Sequence, residues 1–241
     1  MDLKGVVLAG GTGSRLMPLT KVTNKHLLPI GRKPMVYYPI EKLTSIGVEE
    51  ILVVTGIEHM GDVVSLLGSG SDFGCRFTYK VQDEAGGIAQ ALGLAENFSN
   101  ALPLIVILGD NIFQASLKPY AEKFVAQKSG ARILLKRVPN PQRFGVAEIS
   151  GGKVIGIEEK PARPKSDYAV TGIYFYDAAV FDIIRTLKPS ARGELEITHV
   201  NQAYIAKQQL ACDILEGWWT DAGTFESLVK AGELVVKEPP Q

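Results

Sequence analysis

Val6-Val7-Leu8-Ala9-Gly10-Gly11-Thr12-Gly13-Ser14-Arg15 is an apolar, strand-like run that empties into a glycine-rich turn closed by an arginine. Gly10, Gly11 and Gly13 allow a sharp bend and let backbone N–H groups face an oxygen-rich ligand. Arg15 adds a permanent, forked cation beside those donors. The combination reads as a cradle for a polyphosphate, although a glycine turn after a buried strand can also be only a turn. No GxxxxGK[ST] spacing is present, so the turn is not a P-loop, and the GxGxxG series fails at its third glycine. The next clear strand, Ile51 to Thr55, also begins too late for the roughly 30-residue βαβ unit of a dinucleotide fingerprint.

Working outward, the first half of the chain alternates strand and helix signals, which favours a mainly parallel sheet covered on both faces. Val6 to Ala9, Ile51 to Thr55, Phe77 to Val81 and Leu104 to Leu108 read as strands. Pro34 sits where a proline can begin a helix, with Ile40, Leu43 and Ile46 at helical spacing behind it. Further helices are expected from Asp62 to Leu67, Ile88 to Phe98 and Leu117 to Lys128. The rhythm then changes: Phe144 to Ile149, Gly151-Gly152 and Val154 to Glu158 form a hairpin pattern, and Tyr168 to Tyr176 is another strand. Helices over Ala178 to Leu187 and Ile197 to Lys207, a strand near Ala211 to Leu215 and a helix from Phe225 to Val236 complete the reading. The expected architecture is a single domain over 1–241 in two parts, about 1–130 and 131–241, the second carrying a sugar-sized insert and the final helix.

The 241 residues, 46% hydrophobic, suffice for a full core without metal or disulfide staples. Lys+Arg and Asp+Glu balance at 26 each, so no net basic field is available to hold nucleic acid, and an anionic ligand must be met by local cations. Cys75 and Cys212 show no CxxC pairing and the N-terminus does not read as a secretion signal, which points to a cytoplasmic protein. No apolar run approaches the roughly 20 residues of a membrane span.

In open α/β sheets ligands bind at the carboxyl ends of the strands. Asp110 follows the apolar run LIVILG, and Asp221 is expected in an equivalent place after the strand ending near Leu215. Each alone also reads as a cap or turn residue. Together, near a phosphate loop, they suit Mg2+, a hard cation that shares its oxygen ligands with substrate phosphates. Lys25, Lys160 and Arg192 supply further cations, and Glu159 a carboxylate able to accept paired hydrogen bonds from sugar hydroxyls. Gln82 ends the third strand before Gly86-Gly87; its carboxamide matches the imide edge of thymine or uracil, or cytosine when flipped. Trp218 and Trp219 suit sugar cover or simple packing. His26, His59 and His199 lack zinc-ligand spacing, and no nucleophile elbow is present.

These blocks, in this order, resemble the sugar-nucleotide nucleotidyltransferases, and among them the glucose-1-phosphate thymidylyltransferases. LAGGTGSRL, KHLLPIGRKPMVYYP, QDEAGGIAQAL, LGDNIF, RFGVAEI, EEKPARPKSDYAVTGIYFYD, LKPSARGELEIT and WTDAGT carry the resemblance across essentially the whole chain. It implies a Rossmann-like α/β fold, a mixed and mostly parallel sheet flanked by helices, with a small sugar-binding subdomain. It also implies transfer of a thymidylyl group from dTTP to glucose 1-phosphate, giving dTDP-glucose and pyrophosphate with Mg2+ as cofactor. By position, Leu8, Gly10, Gly11, Gly13 and Arg15 would hold the nucleotide, Lys25 would reach the phosphate under attack, and Gln82 and Gly87 would read the base. Asp110 and Asp221 would hold the metal. Gly145, Glu159, Lys160, Val170, Tyr174, Arg192 and Trp219 would surround the sugar phosphate. Arg15, Lys25, Lys160 and Asp110 are the expected catalytic groups.

Phe144 departs from the tyrosine common in the resembled group, and His199 from an acidic residue. The chain ends soon after the helix behind WTDAGT, as expected of a short form without the extra helices that help to build a secondary nucleotide site. A homotetramer or dimer is implied. A uridylyl- or cytidylyltransferase and a noncatalytic sugar-nucleotide sensor are the competing expectations.

Overall fold

Val6 and Leu8 pack on one face of the central strand and Val7 and Ala9 on the other, and all four are buried. The computed structural model describes residues 2–241. Chain order is β1 (Lys4–Ala9), β2 (Pro29–Ile30), β3 (Lys33–Pro34), α1 (Tyr37–Thr44), β4 (Glu50–Gly56), α2 (Met60–Leu67), β5 (Arg76–Gln82), α3 (Ile88–Gly93), α4 (Glu96–Ser99), β6 (Leu104–Leu108), β7 (Asn111–Phe113), α5 (Lys118–Gln127), β8 (Ala131–Arg137), β9 (Gly145–Ser150), β10 (Lys153–Glu159), β11 (Tyr168–Tyr176), α6 (Val180–Thr186), α7 (Ile197–Ala206), β12 (Leu210–Ile214), β13 (Trp219–Asp221) and α8 (Phe225–Lys237).

The nine-stranded sheet runs β10-β9-β11-β6-β1-β4-β5, with β8 pairing β11 and β12. β6, β1, β4 and β5 are parallel, and β11 joins antiparallel to β6, so the sheet is mixed, with one half parallel. The two-residue period of a strand divides the apolar runs between two cores. Leu52, Val54, Leu104 and Val106 join Val6 on one face, and Ile51, Val53, Ile105 and Ile107 join Val7 on the other. Burying each such side chain contributes about 1.5–3 kcal/mol, which is why continuous apolar runs mark the doubly covered strands.

Three expectations need correction. Pro34 does not begin a helix; it ends the small β2-β3 ribbon, and Met35 N–H and Val36 N–H bond to Leu28 O and His26 O, so those two residues form a turn and the helix starts only at Tyr37. The helix expected over Ile88 to Phe98 is two, because Leu94 N–H and Ala95 N–H tighten to i−3 carbonyls just after Gly93. Asp221 does not follow the strand near Leu215 directly. It ends β13, a separate strand antiparallel to β7, and Ala222 N–H bonds to Asp110 O at 2.8 Å. α8 starts on a Thr224–Ser227 capping box immediately behind it, which fixes the end of that ribbon.

Candidate active site

β1 lies between β6 and β4, so successive parallel strands depart from it in opposite directions. That reversal opens a crevice at the carboxyl ends of the strands. The glycine loop leaves β1 there, Asp110 follows β6, and Gln82 ends β5. A cavity of about 320 Å³ fills the crevice. Leu8, Gly10, Gly11, Arg15, Lys25, Gln82, Gly87 and Asp110 line it from one side; Gly145, Glu159, Lys160, Val170, Tyr174, Trp219 and Asp221 line it from the other. Gly13 and Arg192 do not. Gly13 instead shapes the loop: its φ of 62° is left-handed, and a Cβ there would meet Thr20 Cγ2 at 2.8 Å. Arg192 stands outside the lining, paired with Glu194 at 3.0 Å and with Glu159 and Glu196 at 3.6 Å.

Asp110 is the electrostatic centre. Lys25 Nζ donates to its Oδ2 at 2.5 Å and Asn111 Nδ2 to its Oδ1 at 3.0 Å. Burial alone pushes the Asp110 carboxyl up, but the Lys25 charge and these hydrogen bonds outweigh it and hold it well below the usual carboxylate range. Asp221 behaves oppositely. Burial, then the Asp110 charge, pushes its carboxyl up to about 6, against the weaker pull of Arg143, Arg15 and Lys25. Two carboxylates facing one cavity, one of them reluctant to ionise beside the other, form a donor set that suits a divalent cation. Among the described residues no cluster of three or more His, Cys, Asp or Glu could enclose a metal. The set therefore fits a cation that keeps waters and takes phosphate oxygens.

Asn111, which the sequence reading passed over, organises this end of the cavity. Its Oδ1 accepts from Trp219 Nε1 at 2.7 Å and from Gly172 N–H at 2.8 Å, so one buried side chain ties Asp110, the register break of β11 and β13 together. His26 lies beneath Lys25. Asn24 Nδ2 donates to Ala9 O, which turns Asn24 Oδ1 toward His26 Nδ1 at 2.7 Å and makes that nitrogen the protonated one. Burial, reinforced by Lys25, lowers the His26 imidazole to about 3, so it is neutral. Its Nε2 is a buried acceptor without a partner among the described residues.

On the opposite wall Glu159 Oε2 accepts from Thr198 Oγ1 at 2.6 Å, and Lys160 Nζ lies 3.7 Å from Glu159 Oε1. Phe144 packs edge-on against Trp219 with ring centroids 5.2 Å apart, and Arg143, a cation missed in the sequence, reaches Asp221 at 3.9 Å. The two walls are laced through the backbone: Leu195 N–H bonds to Gly86 O at 2.8 Å and Ala89 N–H to Leu195 O at 3.0 Å.

A mixed α/β sheet with a glycine loop, paired carboxylates and converging cations at its switch point defines a nucleotide-handling site, and the nucleotidyl transferase family model matches residues 4–238. The chain belongs to that family. The glucose-1-phosphate thymidylyltransferase of Neisseria meningitidis serogroup A is 46% identical over 237 residues, covering 97% of this chain and 82% of the relative. The enzyme of that name from Actinoplanes sp. is 43% identical, covering 97% of this chain and 78% of its own length. Among solved structures, a Bacillus anthracis protein provisionally called a glucose-1-phosphate thymidylyltransferase, crystallised with sucrose, superposes with TM-score 0.93 at 60% identity, over 96% of this chain and 94% of that one. A UDP-glucose pyrophosphorylase complexed with UDP-glucose shares the fold, with TM-score 0.86 at 24% identity over 98% of this chain and 99% of the other.

Proposed function

We propose that the protein transfers a thymidylyl group from dTTP to α-D-glucose 1-phosphate, giving dTDP-glucose and pyrophosphate. The observation that carries this reading is one cavity with the glycine loop, Arg15 and Lys25 on one wall and Glu159 and Lys160 on the other. The names of relatives 43–46% identical over 97% of the chain support it. Residues 1–130 supply the nucleotide wall, and 131–241 the sugar-phosphate wall together with Asp221.

The reaction brings two anions together and aligns a sugar-phosphate oxygen with the α-phosphorus. Positioning and charge neutralisation are what phosphoryl-type transfer asks of a protein. Leu8, Gly10 and Gly11 seat the nucleotide, with Gly13 shaping their loop, and Arg15 neutralises the departing pyrophosphate. Lys25 and Lys160 oppose the repulsion between the reacting phosphates. Glu159, Gly145, Val170 and Tyr174 bound the sugar, with Trp219 behind them, while Arg192 orients Glu159. No general base is required, because the phosphate dianion is already a nucleophile near neutral pH. Asp110 and Asp221 hold Mg2+, which supplies charge neutralisation at the triphosphate when bound.

No helix of the described residues is long and apolar enough to cross a membrane. A cytoplasmic location is supported by two free cysteines, and self-association into a dimer or tetramer belongs to the same reading. Pyrophosphate release measured with dTTP, UTP, CTP and ATP against glucose 1-phosphate tests the activity. Release led by dTTP is expected; release led by CTP or UTP would reassign the nucleotide, and no release with any sugar phosphate would leave a noncatalytic sensor.

A further inference from the structure

The cavity ends on a carboxamide that could present either of two opposite chemistries to a base. Gln82 Nε2 donates to Gly87 O at 3.2 Å and to Gln90 Oε1 at 2.7 Å. Gln90 Oε1 also accepts from Gly86 N–H at 3.1 Å. A peptide N–H only donates and a carbonyl only accepts, so these two backbone groups set the orientation of both side-chain amides. Both hydrogens of Gln82 Nε2 are thereby used. Its Oε1 remains toward the glycine loop, where a Cβ on Gly10 would lie 3.1 Å from it. Flipping Gln82 would set its oxygen against Gln90 Oε1 and Gly87 O, three acceptors with no proton between them. Gln90 does not line the cavity, whereas Gln82 does.

We propose that Gln90 is a positioning residue that locks Gln82 as a pure acceptor. This end of the cavity then selects a pyrimidine with N–H at ring position 3, thymine or uracil, and turns away cytosine, which has a lone pair there. The inference rests on the reading of the cavity as a nucleotide site. Gly86 belongs to the lock, because a Cβ on it would fall 2.4 Å from the Gln90 carboxamide and push it away. The Gly86-Gly87 pair thus has a job besides bending the chain: its first member makes room for the group that orients Gln82.

The test is the ratio of kcat/KM for dTTP to that for dCTP, which is independent of the fraction of each preparation that folds. A site built around a donor on its ligand rejects an analogue lacking it by about 10³-fold or more, the ratio expected of the unaltered protein. Gln90→Leu removes the acceptor and is expected to lower the ratio at least about tenfold, with use of dCTP rising in absolute terms. Gly86→Ala, with both glutamines intact, should do the same. Gln90→Glu still accepts from Gly86 N–H and Gln82 Nε2, and its ratio should stay within about threefold of the unaltered protein. If Gln82→Leu collapses the ratio while Gln90→Leu and Gly86→Ala leave it unchanged, the lock is overturned and the nucleotide reading stands. If Gln82→Leu leaves it unchanged too, both fall.

Discussion

Lys25 Nζ sits 2.5 Å from Asp110 Oδ2, with both side chains largely buried, so a lysine occupies one face of the carboxylate that a metal is proposed to share. Lysine and metal would therefore compete for Asp110 until a triphosphate gave the ammonium another partner. Lys25→Met is expected to tighten Mn2+ binding measured by calorimetry while lowering turnover by about 10²-fold or more, since a preorganised charge contact is lost. Weaker Mn2+ binding in the variant would contradict this competition.

Asp110 and Asp221 should respond in opposite directions to loss of charge. The Asp221 carboxyl is raised to about 6 from 3.8, so ionising it costs the folded protein up to about 3 kcal/mol at about 1.36 kcal/mol per unit. Stability tied to its protonated form is complete below about pH 4 and lost as pH rises through about 6. Asp221→Asn, neutral throughout, should raise the Tm of the metal-free protein at pH 8 and change it little at pH 4. The Asp110 carboxyl is held low, so its contribution is present above the usual carboxylate range and lost as pH falls below it. Asp110→Asn should lower Tm at pH 8. Thermal unfolding at the two pH values decides both signs, and Mn2+ affinity should fall below about pH 6 as Asp221 takes up its proton.

In turnover the same two substitutions should act as one. Asp110→Asn and Asp221→Asn are each expected to cripple the reaction, and the double variant to be little worse than the poorer single one. A double variant that loses the product of the two effects would show that the carboxylates do not share a metal.

Asn111→Leu leaves the Trp219 indole N–H and the Gly172 N–H buried without acceptors and frees Asp110 to turn. Each orphaned donor costs about 1–3 kcal/mol, so a large fall in Tm is expected together with an altered Trp219 emission. Unchanged emission would remove Asn111 from its place between the two strands.

Arg15→Ala should slow single-turnover chemistry by an amount equivalent to about 3–4 kcal/mol. Gly223→Ala tests the same contact without touching Arg15, because a Cβ at 223 would lie 2.9 Å from an Arg15 guanidinium nitrogen. That guanidinium is the far end of a flexible side chain, so the fold should survive while chemistry slows. Adding Gly223→Ala to Arg15→Ala should then change nothing further.

Where the chain carries dense branched apolar runs, sequence and structure agree closely. Leu104–Leu108 and Tyr168–Tyr176 are strands with the expected ends, and β1 differs only at its start. β7 and β13 were invisible because three-residue strands carry no period, and with them went the true setting of Asp221. Ala131–Arg137 was missed because ARILLKR does not alternate; its apolar centre is buried on both faces between β11 and β12. Cations and carboxylates that meet the cavity were legible one by one, as chemistry at strand ends. Their pairings were not, since Lys25 and Asp110 are 85 residues apart and Asn111 and Trp219 are 108 apart. Arg192, expected against the sugar phosphate, lies among Glu159, Glu194 and Glu196, a set of partners that its sequence neighbourhood shows only in part.

The two backbone bonds between Leu195 and the Gly86–Ala89 stretch bear on any attempt to re-engineer nucleotide choice. A chimaera that imports the 82–92 loop from a relative of different preference keeps this junction only where the imported main chain follows the same path, because the bonds are made by backbone atoms that every non-proline residue carries. Where that path differs, the segment around 194–196 has to travel with the loop. With the loop reading the base as proposed, base choice and the placement of Glu194 and Glu196, which hold Arg192, are then inherited as one transplantable unit.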